Sequence, residues 1–259
     1  EDGLVSRWKL DETSGTVAED TRGLQDGSLN GSASWVYPGK HHGGVRFDGT
    51  QGFISVPDRP EYDGSQLSIT AWFCPEALDG QSRGIVSKRL GPSNGSAFSV
   101  LLSGSSNFLT VDIGNDRYVT NHAITDAYAW HHVAVVFDGS LSSNRLKVYV
   151  NGEATPVYQA QPTVSAIPDT SAPITIGALD SSASESFIGR IDEVQIYERA
   201  LEPLDIAQIY SFGFSSFKIP LNPEMLLNEA AAGDPSGLVD EQSLAGDPVN
   251  GSGGAPLTK

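Results

Sequence analysis

The sequence predicts an all-β protein, an antiparallel two-sheet jelly-roll sandwich with one short C-terminal helix. Short runs in which apolar and polar residues alternate recur along most of the chain, as is typical of strands with one buried face. Turn signals such as Asp138-Gly139 and Asn151-Gly152 separate these runs. The 28 glycines and 15 prolines supply turns for many strands, and closely spaced short strands are the pattern of sandwiches and jelly rolls.

The predicted strands follow one another from residue 4 to residue 197. Residues 4–10 and 45–48 alternate in the manner of half-buried strands. Residues 67–73 are apolar at nearly every position, which predicts a strand buried on both faces. The pattern of strands continues in residues 98–102, 108–113, 130–137, 146–150, 174–176 and 187–197.

One helix is predicted at residues 203–210. Pro203 suits the first turn of a helix, and Ile206, Ile209 and Tyr210 share one face at the spacing i, i+3, i+4. Because this helix follows the last strand, we expect it to pack against the edge of the sandwich.

The chain divides into a jelly-roll domain at residues 1–211 and an extension at residues 212–259. Residues 227–259 hold six glycines, three prolines and no aromatic residue, and the tetrapeptide AGDP occurs twice there. This composition is typical of a linker rather than of a packed core. We therefore expect the extension to lead toward a neighbouring module.

Composition excludes several classes of function. With 16 Lys and Arg against 32 Asp and Glu, the formal charge is −16, which argues against nucleic acid as a partner because phosphate binding needs clustered cations. No apolar run approaches the roughly 20 residues that cross a bilayer.

Cys74 is the only cysteine, so neither an intrachain disulfide nor a cysteine zinc site can form. The scarcity of Cys and Met suits an oxidising exterior, and we expect a secreted protein.

Eight segments closely resemble, in order, the laminin G-like, pentraxin-like branch of the concanavalin A-like lectin/glucanase superfamily. The resemblance covers residues 3–210 and implies a concanavalin A-like jelly roll that binds carbohydrate or acts in adhesion and frequently holds calcium. The segments are LVSRWKLDETSGTVAEDTRG, GGVRFDGTQGFISVPD, LSITAWFCPE, GIVSKR, WHHVAVVFDG, LKVYVNGE, ITIGA and FIGRIDEVQIYERALEPLDIAQIY.

The resemblance also implies a structural calcium ion (Ca2+) held by Asp20 and Asp192, with backbone carbonyls near Gly23. Asp20 lies in the acidic loop EDTRGLQDG, where Asp26 is a candidate third carboxylate. Carboxylates and carbonyls are the oxygen ligands that calcium prefers. The alternative is that Asp20 and Asp26 cap turns.

Catalytic patterns are lacking, and we expect a domain that is not an enzyme. A retaining glycosidase needs two carboxylates about 5 Å apart, which on a strand means acidic residues two positions apart. Asp192 and Glu193 are adjacent and therefore point to opposite faces. His131 and His132 also alternate, and a histidine packed in the fold is favoured over a catalytic base. A polysaccharide lyase or hydrolase on the same fold remains the alternative.

Candidate ligand residues lie in the central strands and edge loops of residues 84–121. In a chain with few cations, the basic side chains there can pair with a carboxylated or sulfated sugar or form salt bridges to the abundant acids. Trp35 and Tyr37 are further aromatic candidates for stacking on a sugar, whereas Trp8, Trp72 and Trp130 are expected to pack in the fold. The ligand-binding candidates are Lys88, Arg89, Asp112, Arg117, Tyr118 and Asn121.

Together these observations predict a lectin-like, carbohydrate-binding accessory module of a secreted multimodular protein that acts on polysaccharides. We expect a monomer whose partners are a polysaccharide or glycan and the neighbouring modules of its own polypeptide. Such a module holds a catalytic neighbour near its polymer and raises the effective concentration. A protein-adhesion or scaffold domain that binds no sugar is the other alternative.

Overall fold

A computed structural model describes residues 2–91, 96–114, 116–157, 162 and 164–212 of the chain. They form strands, one 3-10 helix (Pro60–Tyr62) and one α-helix, α1 (Pro203–Phe212). The strands are β1 (Leu4–Trp8), β2 (Val17–Ala18), β3 (Gly27–Asn30), β4 (Ser34–His41), β5 (Gly43–Asp48), β6 (Phe53–Val56), β7 (Gln66–Pro75), β8 (Arg83–Arg89), β9 (Ser96–Ser103), β10 (Phe108–Ile113), β11 (Asp116–Ala123), β12 (His131–Asp138), β13 (Leu146–Val150), β14 (Glu153–Thr155), β15 (Ile174–Ile176) and β16 (Ile188–Tyr197).

Two antiparallel sheets make the sandwich. Sheet I has the order β14-β13-β12-β7-β16-β5-β4, with β1 paired to β16, and sheet II has the order β11-β10-β9-β8-β15-β6-β3-β2. The first and last strands are neighbours, since Trp8 of β1 lies opposite Val194 of β16. The predicted jelly-roll sandwich is confirmed.

The core lies between the sheets and follows the alternation of the sequence. In β5, Val45 and Phe47 are fully buried, whereas Arg46 and Asp48 point to solvent. β7 is buried on both faces, as its uniform apolar sequence predicts, because helix α1 covers part of the outer face of sheet I. Trp8 lies in the main core.

Helix α1 packs on the outer face of sheet I rather than against the edge of the sandwich, which corrects that expectation. Ile206 and Ile209 join a second apolar cluster with Ala134 and Tyr149 of the sheet. Without this helix, the apolar residues on the outer face of β12 and β13 would be exposed to water.

Strand β4 is not among the strands that the sequence predicts. The strand lies at the edge of sheet I and contains Pro38, which lacks the amide hydrogen needed inside a sheet and is tolerated only at an edge. Its residues are half-buried or exposed, so it carries little apolar signal.

The predicted extension, residues 212–259, lies outside the described residues except for Phe212, so its boundary stays a prediction. Among the described residues, no helix combines the length and the apolar character needed to cross a bilayer.

Candidate functional site

Strand alternation sends the neighbouring cations Lys88 and Arg89 to opposite faces of sheet II. Lys88 lies opposite Phe98 on the core side, and the register shifts before Arg89. The Lys88 ammonium is fully buried, 2.7 Å from Asp63 and 3.0 Å from Asp58. It also donates to the carbonyl oxygen of Thr170. This corrects the prediction that Lys88 contacts a ligand, because its donors are already taken by protein oxygens.

Arg89, Asp112 and Arg117 come together on the outer face of sheet II. Arg89 Nη1 lies 2.9 Å from Asp112 Oδ2, and Arg117 Nε lies 2.8 Å from Asp112 Oδ1. Asp112 therefore binds both guanidinium groups, as in the salt-bridge alternative of the sequence analysis. Arg89 and Asp112 are buried, whereas 43 % of the Arg117 side chain is exposed.

A close-packed loop explains why this face is not an open groove. A Cβ atom at Gly84 would lie 2.4 Å from the backbone of Ala178, so the segment after β15 rests directly on sheet II. Thr175 reinforces the contact by donating its hydroxyl hydrogen to the Ala178 carbonyl oxygen at 2.9 Å.

The two remaining ligand candidates, Tyr118 and Asn121, lie on opposite faces of strand β11. Tyr118 lies opposite Val111 and belongs to the main core, which corrects its assignment to a ligand surface. Asn121 is exposed on β11, next to the strand that carries Asp112. Arg117 and Asn121 are thus the predicted ligand residues that a solute can reach.

Asp20 organises its own loop through backbone amides. Its Oδ1 accepts the amide hydrogens of Arg7 and Arg22, both at 2.9 Å, and its Oδ2 accepts that of Gln25 at 3.1 Å. Asp26 Oδ1 in turn accepts the amide hydrogen of Asp20 at 2.8 Å. These bonds match the turn-capping alternative for both residues. Gly23, at a φ of 68°, closes this turn with its amide bonded to the Asp20 carbonyl oxygen.

Asp192 anchors a different segment. Its Oδ2 accepts the amide hydrogens of Lys40 and His41, each at 2.8 Å, and its Oδ1 accepts that of Glu193 at 2.8 Å. The side chain is fully buried, and this burial raises the pKa of Asp192 to about 8 against the opposing effect of the amides. Asp192 thereby holds the hairpin between β4 and β5 onto sheet I.

These residues do not fit the predicted calcium ion. In the described part of the chain, Asp20 and Asp192 share no hydrogen-bond partner, and each carboxylate already accepts three amides. Within the described ranges, no group of three His, Cys, Asp or Glu side chains could hold a metal. The calcium ion stays a prediction from the resemblance.

An open pocket that aromatic residues line lies between the loop after β1 and the β4–β5 hairpin. Its volume is about 310 Å³, at the lower limit of the range for ligand sites. We call it the edge pocket. Its lining consists of Asp11, Glu12, Thr13, Trp35, Val36, Tyr37, His42 and Gly43.

Two glycines allow the β4–β5 hairpin to pack against the chain after β1 and to form one side of the edge pocket. A Cβ atom at Gly43 would lie 2.9 Å from the Leu10 carbonyl oxygen, and one at Gly39 would overlap the carbonyl group of Gly43. The backbone can approach this closely only without side chains at these two positions. As a result, the hairpin packs directly on the chain that carries Asp11 and Glu12.

The polar groups of the edge pocket are held in place by backbone contacts. Asp11 Oδ1 accepts the Gly43 amide hydrogen at 3.0 Å, and Glu12 Oε1 accepts the Glu19 amide hydrogen at 2.8 Å. Glu12 Oε2 is buried with no hydrogen-bond partner among the described residues, and burial raises the pKa of this carboxyl group. Trp35 donates its indole hydrogen to the Gly15 carbonyl oxygen at 2.9 Å. Tyr37 is 83 % exposed.

Sequence reasoning singled out Trp35 and Tyr37 but missed Asp11 and Glu12. The two acids follow the first strand in the segment KLDETSG and carry no motif that marks them. Only the packing of the hairpin against this segment brings the four side chains to one pocket.

His132 lies in a separate cluster beneath helix α1. Its ring centroid is 5.1 Å from that of Trp72 and 5.9 Å from that of Tyr210, and Tyr210 stacks on Trp72 at 5.4 Å. Burial lowers the pKa of His132 to about 3. A neutral imidazole that packs among aromatic rings matches the expectation that His132 has a structural role and is not a catalytic base.

Known families and structures share this architecture. The family model Laminin_G_3, described as the concanavalin A-like lectin/glucanases superfamily, matches residues 48–207. No curated protein matches the sequence. Domain 4 of AbnA, a GH43 extracellular arabinanase from Geobacillus stearothermophilus, in complex with arabinotriose, is 21 % identical with a TM-score of 0.60, over 81 % of this chain and 99 % of that one.

Two further structures belong to larger chains. Trypanosoma rangeli sialidase in complex with 2,3-difluorosialic acid is 19 % identical with a TM-score of 0.61, over 80 % of this chain and 32 % of that one. The binding domain of Paraclostridial Mosquitocidal Protein 1 is 15 % identical with a TM-score of 0.61, over 80 % of this chain and 52 % of that one. The chain therefore spans about a third of the sialidase, and at these identities the likeness shows the fold alone.

Proposed function

The chain belongs to the Laminin_G_3 family of the concanavalin A-like lectin/glucanases superfamily, and we propose that it is a non-catalytic carbohydrate-binding module of a secreted, multimodular protein that acts on polysaccharides. The family hosts more than one function, so the proposal rests on a site and not on the fold.

The edge pocket is the observation that carries the proposal. Sugar recognition combines an aromatic ring with fixed polar groups that accept hydrogen bonds from hydroxyls. Trp35 and Tyr37 supply the rings, and Asp11 and Glu12 supply the acceptors. The indole hydrogen of Trp35 is already bonded to Gly15, so this residue offers a ligand its ring surface.

The neighbouring structures agree with a binding role. The arabinanase domain is in complex with arabinotriose, and the similar part of the mosquitocidal protein is a binding domain. In the proposed role, the module keeps a neighbouring module of its polypeptide near a polysaccharide by raising its effective concentration. Affinity for a single site is expected to be weak, since a shallow pocket buries little surface.

Affinity electrophoresis of the 259-residue chain in gels that contain soluble polysaccharides tests the proposal. We expect at least one polysaccharide to retard the chain and Tyr37→Ala to remove the retardation. Tyr128→Ala is the matched control, because Tyr128 is 71 % exposed and lies outside the lining of the edge pocket. Unchanged mobility in every gel would overturn the proposal.

A further inference from the structure

We propose that the edge pocket selects an uncharged sugar ring, stacked on Tyr37 and hydrogen-bonded through its hydroxyls to Glu12 and Asp11, and that it rejects uronate and sialic-acid sugars. This inference rests on the proposed function and assigns it a substrate class. It differs from one of the two alternatives left open by the sequence, that of a carboxylated or sulfated ligand held by cations.

The charges that line the pocket point to this class. Among the described residues, its lining contains two carboxylates and one imidazole, that of His42, and neither Lys nor Arg. An ionised sugar would place its carboxylate beside Asp11 and Glu12 without a cation to compensate, and like charges at short range are costly. The formal charge of −16 adds to this repulsion.

Two nearby cations, Lys40 and Arg7, are engaged elsewhere. Lys40 belongs to the hairpin, but its ammonium lies 4.0 Å above the ring of Trp72. Arg7 lies near the same end of the sandwich and pairs with Glu193 at 2.8 Å. Neither cation is among the described residues that line the edge pocket.

The acceptors suit hydroxyl groups. Glu12 Oε1 is fixed by the Glu19 amide, which leaves Oε2 as a buried acceptor without a partner in the described part of the chain. Because Oε2 is closed to solvent, a ligand hydroxyl reaches it only when the Glu12 side chain turns toward the pocket, and this hydrogen bond would satisfy a buried acceptor that has no partner among the described residues. Asp11 is fixed in the same way through Gly43.

Titration calorimetry with two sets of oligosaccharides tests the selection. The uncharged set is arabinotriose, xylotriose, cellotriose and mannotriose, and the carboxylated set is trigalacturonate and sialyllactose. All measurements are made at pH 8. The variants are Tyr37→Ala and Glu12→Gln, with Tyr128→Ala and Arg117→Ala as controls. The melting temperature of each variant verifies that it is folded.

We expect one or more uncharged sugars to bind, and we expect Tyr37→Ala and Glu12→Gln each to weaken binding about tenfold. The two controls should bind as the unsubstituted chain does, and added salt should change the affinity little. Binding of the carboxylated set through Tyr37 would overturn the selection but leave the proposed function standing. Binding that depends on Arg117 and not on Tyr37 would overturn the choice of pocket. If no trisaccharide bound and no polysaccharide retarded the chain, both proposals would fail.

Discussion

Replacement of Lys88 by Met should destabilise the domain strongly although the shape of the side chain is nearly kept. The Lys88 ammonium is fully buried and compensates Asp63, whose side chain is only 5 % exposed, at 2.7 Å. Breaking a buried ion pair from one side costs about 3–5 kcal/mol, because the other charge stays buried without a partner. Asp58 adds less, since 31 % of its side chain is exposed and water screens it.

Urea unfolding followed by tryptophan fluorescence measures the effect. With a slope of about 2 kcal/mol per molar urea, a loss of about 4 kcal/mol lowers the midpoint by about 2 M. Lys147→Met is the matched control, since Lys147 is an exposed lysine of β13, and it should stay within about 0.5 kcal/mol of the unsubstituted chain.

The double variant Lys88→Met/Asp63→Asn separates charge from packing. It removes the uncompensated carboxylate, so it should be more stable than Lys88→Met alone. If Lys88→Met unfolds the chain outright, Asp58→Asn gives a milder test of the same cluster. A loss below about 1 kcal/mol in Lys88→Met, or no recovery in the double variant, would refute the reasoning.

The pH dependence gives an independent check. Burial raises the pKa of Asp63, and Lys88 lowers it. Without Lys88, the pKa of Asp63 in the folded state should rise further above its value in the unfolded chain. A raised folded-state pKa contributes stability at low pH that is lost as the pH rises. The deficit of Lys88→Met relative to the unsubstituted chain should therefore shrink between pH 7 and pH 5.

Three further predictions concern other buried groups. The pKa of His132 is lowered to about 3 from an ordinary value near 6.5, so its contribution to stability is complete above pH 6.5 and falls by up to roughly 5 kcal/mol toward pH 3. His132→Asn should therefore reduce the loss of melting temperature between pH 6.5 and pH 3. An unchanged pH dependence of the melting temperature would contradict a buried, neutral His132. Asp192→Asn replaces one of the two acceptor oxygens by an NH2 group, so at least one of the three amides bonded to Asp192 loses its acceptor. The free energy of unfolding should fall by about 1–3 kcal/mol and sugar binding at Tyr37 should weaken, whereas unchanged binding would show that Asp192 does not position the pocket. Because Asp20 and Asp192 are already bonded to amides, EDTA should lower the melting temperature by less than about 1 °C. A larger drop that calcium reverses would support the prediction of a bound calcium ion.

Alternation along the chain was sufficient for most of the fold. Val45 and Phe47 of β5, the uniformly apolar β7 and the Ile206–Ile209 face of the helix all lie where their spacing predicts, because periodicity depends on local backbone geometry. The edge strand β4 was missed because an exposed strand with Pro38 lacks the apolar signal on which such reasoning depends.

The chemistry of the surface depended on contacts that local spacing does not contain. Alternation sends Lys88 and Arg89 to opposite faces of β8, but their partners Asp63 and Asp112 belong to other segments, which spacing along the chain does not identify. Likewise, nothing in the sequence joins Glu12 to Tyr37, which meet only because the hairpin packs against the chain after β1.

The sequence by itself thus determined the fold class, the core, the helix and the residue types available for binding. Tertiary structure alone decided which cations are already paired, which aspartates hold backbone amides, and which aromatic and acidic residues share a pocket. The physical reason is that burial and periodicity are properties of neighbouring residues in the chain, whereas charge pairing and pocket formation depend on which distant segments are brought within a few ångströms of each other.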